Sequence, residues 1–199
     1  MARVIGARHL DSGALYRGLT AIAHELGARH PDAIIAAARA RGLRLEDVAG
    51  EVIPFLDDSP AEPRLRTPEV TALVSEVSAL PAVREWVNQR LREAAALAGL
   101  VVLDGRDIGT AVFPDATVKV FLTATPEARA YRRLAQRGHP PTPAEVAREA
   151  AMLVQRDQWD SSRATAPLKR APDAILLDTT ELGFDQQVEQ IVALIRSKL

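Results

Sequence analysis

Apolar residues recur every three or four positions over much of the chain, the spacing that places them on one face of a helix. We predict helices over residues 14–26, 31–41, 126–136, 143–161 and 184–199, and over 68–97 with an interruption at Pro81. Asp11 or Ser12 is the expected N-cap of the first helix, because a short polar side chain there can accept a hydrogen bond from an unpaired backbone N–H.

Short apolar runs between these helices predict buried strands. The runs GLVVLD, TVKVFLTA and DAILLDTT lead into or end in polar residues, and HLDSG changes in the same way from apolar to polar. Strands that alternate with helices indicate an α/β fold, in which a parallel sheet is flanked by helices. Ligands of such sheets bind at the carboxyl ends of the strands, here at Asp11, Asp104, Thr123 and Asp178.

Residues 43–66 depart from the helical pattern. The pieces LRLEDV and EVIPFLD alternate apolar and polar positions, and the turn-forming stretch DDSPAEP follows them. This pattern of alternating positions and turn residues predicts a small β-containing insertion. The length of 199 residues suits one domain with a single core, so we expect a single domain over residues 1–199.

Composition narrows the class of protein. The net charge of −1 argues against recruitment of a nucleic acid polymer or an anionic membrane. The absence of cysteine excludes disulfides, thiol catalysis and cysteine-based zinc sites. The 25 basic residues include only three lysines, which leaves 22 arginines; codon usage is the simplest explanation, although guanidinium groups also suit phosphate recognition. With no signal-peptide pattern and no long apolar run, we expect a soluble cytoplasmic protein.

Charged residues directly follow the predicted strand in GLVVLDGRDIG. Gly105 permits a sharp turn, and Arg106 and Asp107 then place opposite charges at the edge of the sheet. A loop of solvated charges is the alternative, but the position behind a buried strand favours a ligand site. Asp104 resembles the acidic residue that orients the water shell of Mg²⁺ in nucleotide-processing enzymes, so we expect contact with the metal through water only.

A second candidate lies in RDQWDSSR. On a helix, Arg156, Asp160 and Arg163 stand at i, i+4 and i+7 and share one face. A solvated ladder of salt bridges is the alternative. Because the loop ATAPLKRA follows directly, we favour a clamp for a polyphosphate, with the carboxylate steadying both arginines.

Two weaker signals complete the set. Ser75 and Arg84 flank the break at Pro81 and could hydrogen-bond the edge of a nucleobase, although the pair alone is nearly uninformative. Tyr16 and Arg17 are ordinary helix residues unless a ligand pairs them.

Six segments taken together resemble bacterial cytidylate kinases, which are nucleoside monophosphate kinases that phosphorylate CMP and dCMP with ATP. They are HLDSGALYR, RTPEV…VSEVSALPAVR…QR, DGRDIGTAVFPDA, RAYRRLAQRG, RDQWDSSRATAPLKRAPDA and LDTTEL, in the family's order and at its approximate spacing. The resemblance implies a P-loop-type nucleoside monophosphate kinase fold with a CMP-binding insertion region (43–97) and a helical lid (129–163). It also implies ATP and Mg²⁺, CMP or dCMP as the other partner, and a monomer.

The resemblance further implies a role for each matching residue. The residues that would bind the cytosine are Ser75, Arg84 and Asp107. The CMP phosphate would be held by Arg17, Arg106 and Arg163, and Ser12 and Tyr16 would lie near it. Arg156 and Asp160 would contact the sugar, and Arg132 and Arg133 in the lid would approach ATP. Catalysis of direct in-line transfer, giving CDP or dCDP, would depend on Asp104, Arg106 and Arg163.

One family feature is missing from this sequence. The family's phosphate loop, G-x-x-x-x-G-K-[ST], precedes the Asp-Ser-Gly motif, and no such loop occurs here. We expect that about 20–25 residues, with the first strand and this loop, are absent, and that MARVIGAR is the end of the following helix. Three interpretations remain: a complete kinase with a misplaced start or a trimmed chain, a catalytically inactive CMP-binding protein, and a remnant that folds only with a partner. The presence of all CMP-side residues favours the first.

Overall fold

A computed structural model describes residues 1–136, 138 and 140–198. It divides into two compact units, Ala2–Ile108 and Gly109–Leu199, with Met1 grouped with the second. Each unit contains one pair of parallel strands. The expectation of a single domain over residues 1–199 is not tested by this division and stays a prediction.

The first unit alternates strands and helices. A 3₁₀ turn, Ala2–Ile5, precedes its elements, which in chain order are β1 (Arg8–Asp11), α1 (Ser12–Leu26), α2 (Pro31–Ala40), β2 (Arg44–Val48), β3 (Glu51–Leu56), β4 (Ser59–Pro60), α3 (Glu62–Leu65), α4 (Pro68–Val77), α5 (Pro81–Ala98) and β5 (Val101–Asp104). β1 and β5 pair in parallel, and their last residues, Asp11 and Asp104, are register partners. The carboxyl ends of both strands therefore lie side by side.

α1 forms the centre of this unit's core. Its fully buried residues Leu15, Leu19 and Ile22 recur at the helical spacing that the sequence predicted. Asp11 is the N-cap, because its carboxylate accepts a hydrogen bond from the backbone N–H of Gly13 at 2.8 Å. Gly27 ends the helix with a φ of 62°, a left-handed conformation that favours glycine.

The β-structure predicted within residues 43–66 is present, and that the segment is an insertion stays a prediction. β2, β3 and β4 form a three-stranded antiparallel sheet. Ala49 and Gly50 connect the first two strands with positive φ values of 53° and 93°, as a tight two-residue hairpin turn requires. The short helix α3 then leads into α4, which Thr67 caps.

The second unit carries the other parallel pair. After the π-helical turn Ile108–Val112, which begins at the last residue of the first unit, its elements are β6 (Val120–Thr123), α6 (Pro126–Ala135), α7 (Pro143–Ser162), β7 (Ile175–Asp178) and α8 (Phe184–Arg196). β6 and β7 pair in parallel, with Thr123 opposite Asp178 at their carboxyl ends. α6 and α7 pack through a small apolar cluster that is made by Ala130, Ala150, Leu153 and Val146.

The predicted α/β class is confirmed, and most helix and strand ends agree with the sequence analysis to within about two residues. The expected parallel sheet occurs as two separate parallel pairs. Apolar periodicity identifies a buried strand but does not reveal its neighbour, which explains the difference. Within the described residues, none of the helices combines the length and the apolar character that crossing a membrane requires.

Candidate functional site

Two carboxylates mark the strand ends of the first unit. Asp11 and Asp104 are register partners, and the Asp104 side chain is 68% exposed. The Nε2 atom of His9 lies 2.7 Å from Oδ1 of Asp104. This hydrogen bond raises the pKa of His9 above its ordinary value. The sequence analysis assigned no role to His9, because a lone histidine gives no ligand pattern.

The start of α1 and the DGRD loop approach each other closely. The Ser12 hydroxyl donates to the backbone carbonyl of Asp104 at 2.7 Å. A Cβ atom on Gly105 would lie 2.7 Å from the Ser12 hydroxyl oxygen and 2.8 Å from Cγ1 of Ile108. A larger residue here would therefore have to displace the side chains of Ser12 and Ile108. Arg106, which follows, is exposed.

Asp107 turns inward and forms a buried ion pair with Arg84. Nη2 of Arg84 lies 2.5 Å from Oδ2 of Asp107, and the two side chains are only 5% and 6% exposed. Nη1 of Arg84 also donates to the carbonyl of Ser78 at 2.9 Å. The guanidinium carbon lies 5.4 Å from the centre of the Tyr16 ring, within the range of a cation–π contact.

Ser75 is linked to this pair through the backbone. The Ser78 hydroxyl donates to the carbonyl of Ser75 at 3.3 Å, and Ser78 in turn accepts from Arg84. The structure thus brings Arg84 and Asp107 into contact and connects the backbone of Ser75 to them through two hydrogen bonds of Ser78. An arginine, a carboxylate and a hydroxyl supply both donors and acceptors, which the edge of a nucleobase needs. Arg17, next to Tyr16 on α1, is half-buried.

The second unit contains the predicted Arg–Asp–Arg group. Asp160 is 2% exposed and pairs through Oδ1 with Nη2 of Arg163, while Nε of Arg156 lies 4.0 Å from Oδ2. Asp160 therefore contacts Arg163 directly, whereas Nε of Arg156 lies at the limit of an ion pair, and the clamp formed by all three stays a prediction. The prediction that all three share a helix face is wrong, because α7 ends at Ser162. Arg163 lies one residue beyond the helix in an extended conformation, and its side chain folds back onto Asp160.

Arg132 and Arg133, from the segment predicted to form a lid, hold different parts of the second unit. Arg132 donates to the hydroxyl of Thr179 at 3.2 Å and to the backbone carbonyls of Thr179, Thr180 and Leu182, so it secures the loop after β7. Nε of Arg133 lies 3.1 Å from Oε1 of the buried Glu149 and links α6 to α7. Their expected approach to ATP stays a prediction.

The exposed carboxylate of Asp104 fits the expected indirect contact with Mg²⁺. No group of three or more metal-ligating His, Cys, Asp or Glu side chains occurs in the part of the chain that the structure describes. Asp104 has Asp11 beside it and solvent in front of it. Mg²⁺ prefers oxygen ligands and usually keeps several of its waters, and the contact of Asp104 with such a hydrated ion stays a prediction.

These features define a class of protein. Parallel strands that are flanked by helices, with arginines and carboxylates at and beside the strand ends, fit the fold of a nucleoside monophosphate kinase. The sequence model of the family described as "Cytidylate kinase" matches residues 1–197. The chain belongs to the cytidylate kinase family and is a kinase.

Named relatives agree with this family. The cytidylate kinase of Rhodococcus opacus (strain B4) is 42% identical over 201 aligned positions, which cover all of this chain and 87% of that protein. The cytidylate kinase of Klebsiella pneumoniae (strain 342) is 38% identical, and that of Escherichia coli (strain K12 / DH10B) is 39% identical. Each of these two alignments covers all of this chain and 88% of the relative.

Proposed function

We propose that this chain transfers the γ-phosphoryl group of ATP to CMP or dCMP and produces CDP or dCDP. The observation that carries this proposal is the buried pair of Arg84 and Asp107 beneath the Tyr16 ring. Burying two charges is costly, and well-packed apolar residues often stabilise a protein as much or more. A requirement for binding a polar base accounts for a pair that stability alone does not demand.

The cytosine is assigned to Ser75, Arg84 and Asp107. Cytosine presents an amino donor beside a ring nitrogen and a carbonyl acceptor. The carboxylate of Asp107 can accept from the amino group, and the guanidinium of Arg84 can donate to the acceptors. Their mutual contact fixes both side chains in advance, which lowers the entropy lost on binding.

The phosphate and sugar of CMP are assigned to the remaining polar groups. The proposed phosphate ligands are Arg17, Arg106 and Arg163, with Ser12 and Tyr16 beside them, and the proposed sugar ligands are Arg156 and Asp160. Guanidinium groups suit phosphate because they remain charged and offer paired N–H donors. The close contact of the buried Asp160 carboxylate with Arg163, and the more distant approach of Arg156, support this assignment.

Catalysis is assigned to positioning and charge. Arg106 and Arg163 would neutralise charge on the transferring group, and Asp104 would orient the water shell of Mg²⁺. Magnesium-bound ATP supplies the phosphoryl group, and Arg132 and Arg133 are the residues proposed to lie near it. The lid helices α6 and α7 would exclude water, which otherwise competes as the acceptor. Direct in-line transfer needs no covalent intermediate.

A transfer assay with the 199-residue chain tests the proposal. The chain is mixed with magnesium and ATP, and CMP, dCMP, UMP and AMP are compared as acceptors by separating the nucleotide products. We expect CMP and dCMP to form more nucleoside diphosphate than UMP and AMP do. Calorimetric binding of CMP without any transfer would agree with both the trimmed-kinase interpretation and the inactive CMP-binding alternative, because each lacks the phosphate loop. An absence of both binding and transfer would contradict the proposal.

A further inference from the structure

An arginine outside the predicted binding residues lies beside the carboxyl end of β1. Arg66 connects α3 to α4, and its side chain is 57% exposed. Glu62 holds it at two points, with 2.8 Å between Nε and Oε2 and 3.5 Å between Nη2 and Oε1. Nη2 also lies 3.5 Å from Oδ2 of Asp11, the residue that caps α1.

These contacts occupy only one edge of the guanidinium. An arginine head has five N–H donors, two of them on Nη1. Across the described residues, no acceptor contacts Nη1 of Arg66. The head is therefore anchored by Glu62, while its other edge remains able to donate to a ligand.

Charge at the strand ends explains why a cation is needed there. Asp11 and Asp104 are register partners, and two adjacent carboxylates repel an incoming anion. The hydrogen bond with Glu62, and then the charges of the nearby carboxylates, raise the pKa of Arg66 further above its ordinary value. Arg66, which is always charged as arginines in proteins are, offsets part of the negative charge of Glu62, Asp11 and Asp104.

We propose that Arg66 binds the phosphate of the acceptor nucleotide through Nη1, while Glu62 and Asp11 hold its other edge in place. This inference rests on the proposed function, because it assumes that CMP places its phosphate beside Ser12 and the DGRD loop. Ser12 begins α1 directly after Asp11, so the hydroxyl and the guanidinium belong to the same strand end.

A purely structural role is the alternative. In that case Arg66 would only tie α3 to the start of α1. Its loss would lower the stability of the fold and would weaken all ligands of this region alike. A phosphate ligand, by contrast, affects only ligands that carry a phosphate.

The test compares CMP with cytidine by titration calorimetry on the full chain, using wild type and Arg66→Gln. We expect Arg66→Gln to weaken CMP binding roughly 10- to 100-fold, the range for a lost charged hydrogen bond, and to leave cytidine binding unchanged. Arg66→Lys retains the charge but not the planar fork, and should recover part of the CMP affinity.

Arg64→Gln, two residues earlier on α3, is the matched control. Arg64 is half-buried, with a side chain 37% exposed, and it also pairs with two carboxylates, Glu25 and Asp57. Its loss should leave the affinities for both CMP and cytidine unchanged, which separates the position of Arg66 from a general loss of positive charge.

The outcomes separate this inference from the proposed function. If wild type binds CMP and Arg66→Gln binds it equally well, or loses CMP and cytidine in equal measure, the phosphate role is overturned and the proposed function stands. If wild type does not bind CMP, both are overturned. Should Arg66→Gln fail to fold, the comparison of Arg66→Lys with wild type decides, and an unchanged ratio of CMP to cytidine affinity rejects the role.

Discussion

Two groups of opposite charges in the Ala2–Ile108 unit contrast in their exposure to solvent. Arg84 and Asp107 form a single pair with side chains only 5% and 6% exposed. The other group, here called the four-charge network, consists of Glu25, Arg41, Asp57 and Arg64, whose side chains are 25–42% exposed. Each carboxylate of the network contacts both arginines, at distances from 2.6 to 3.0 Å.

The contrast teaches what each group contributes. The four-charge network joins α1, the end of α2, the turn after β3 and α3, so it fastens the β-containing insertion to the core. Solvent screens such pairs and limits the stability that they add. The buried pair gains more from mutual attraction but loses its hydration, so it stabilises little overall and is suited to binding.

The largest expected effect comes from breaking the buried pair on one side. Arg84→Met leaves the Asp107 carboxylate buried without its partner, and we expect the free energy of unfolding to fall by about 3–5 kcal/mol. Urea denaturation followed by circular dichroism measures the change. The double variant Arg84→Met with Asp107→Leu should recover most of the stability while CMP binding stays lost. A double variant as unstable as the single one would contradict the role of the unpaired charge.

Asp160 should give an intermediate effect, because a buried carboxylate there meets arginines that are partly open to solvent. Asp160→Asn removes the charge at nearly constant volume. We expect a loss of roughly 1.5–3 kcal/mol in the free energy of unfolding, and weaker CMP binding. Ser161→Ala, an exposed neighbour, is the control and should change neither quantity. An equally stable Asp160→Asn variant would show that the carboxylate does not hold the two arginines.

The four-charge network should make stability depend on acidity. Hydrogen bonds from Arg41 and then Arg64 hold the pKa of Asp57 below its usual range. Burial alone would raise the pKa of Glu25, but hydrogen bonds from the same arginines outweigh it and lower that pKa. A carboxyl group with a lowered pKa in the folded state contributes stability above its unfolded pKa of about 4, and this is lost as the pH falls further.

The measurement for this network is the urea midpoint between pH 2.5 and 7. At neutral pH the urea midpoint of wild type should be higher than that of Asp57→Asn. The difference between the two midpoints should shrink below about pH 4. Asp115→Asn removes an exposed carboxylate outside the network and should show a much smaller difference. A gap between wild type and Asp57→Asn that does not change with pH would exclude the network as its source.

The smallest expected effect is a difference in salt dependence between the four-charge network and the buried pair of Arg84 and Asp107. Arg64→Gln removes two screened contacts, and we expect a loss of about 0.5–1 kcal/mol in the free energy of unfolding at low salt. In about 1 M NaCl most of this loss should disappear, because the screening length falls to roughly 3 Å. The loss in Arg84→Met should remain. Equal salt dependence of both variants would remove the distinction drawn above.

Local signals account for the success of the fold prediction. Five helices begin with proline at their first position, where the missing N–H costs nothing: α2, α4, α5, α6 and α7. The cap at Asp11 and the capping box of Thr142 with Glu145 act within three residues. Such features can be predicted from the sequence because every interacting group lies nearby in the chain.

The candidate site was predictable to a lesser degree. The motifs indicated Arg84 and Asp107, but not that the two side chains pair and are buried. Arg66 stood within RTPEV, a matched segment for which the analysis had no role, because nothing local links it to Asp11. Arg132 was expected to approach ATP, and only the structure shows that it holds the loop after β7.

The sequence by itself determined the α/β class, the order of the elements, the family and most of the candidate residues. Periodicity, caps and motifs all act over short stretches of chain. Only the tertiary structure decided which side chains meet, since the partners of Arg84, Arg66 and Arg132 lie 23, 55 and 47 residues away. The packing of β1, β5, α1 and α5 brings Arg84 and Asp107 into contact and buries both side chains. Burial in turn decides whether a pair of charges is screened by water or held apart from it.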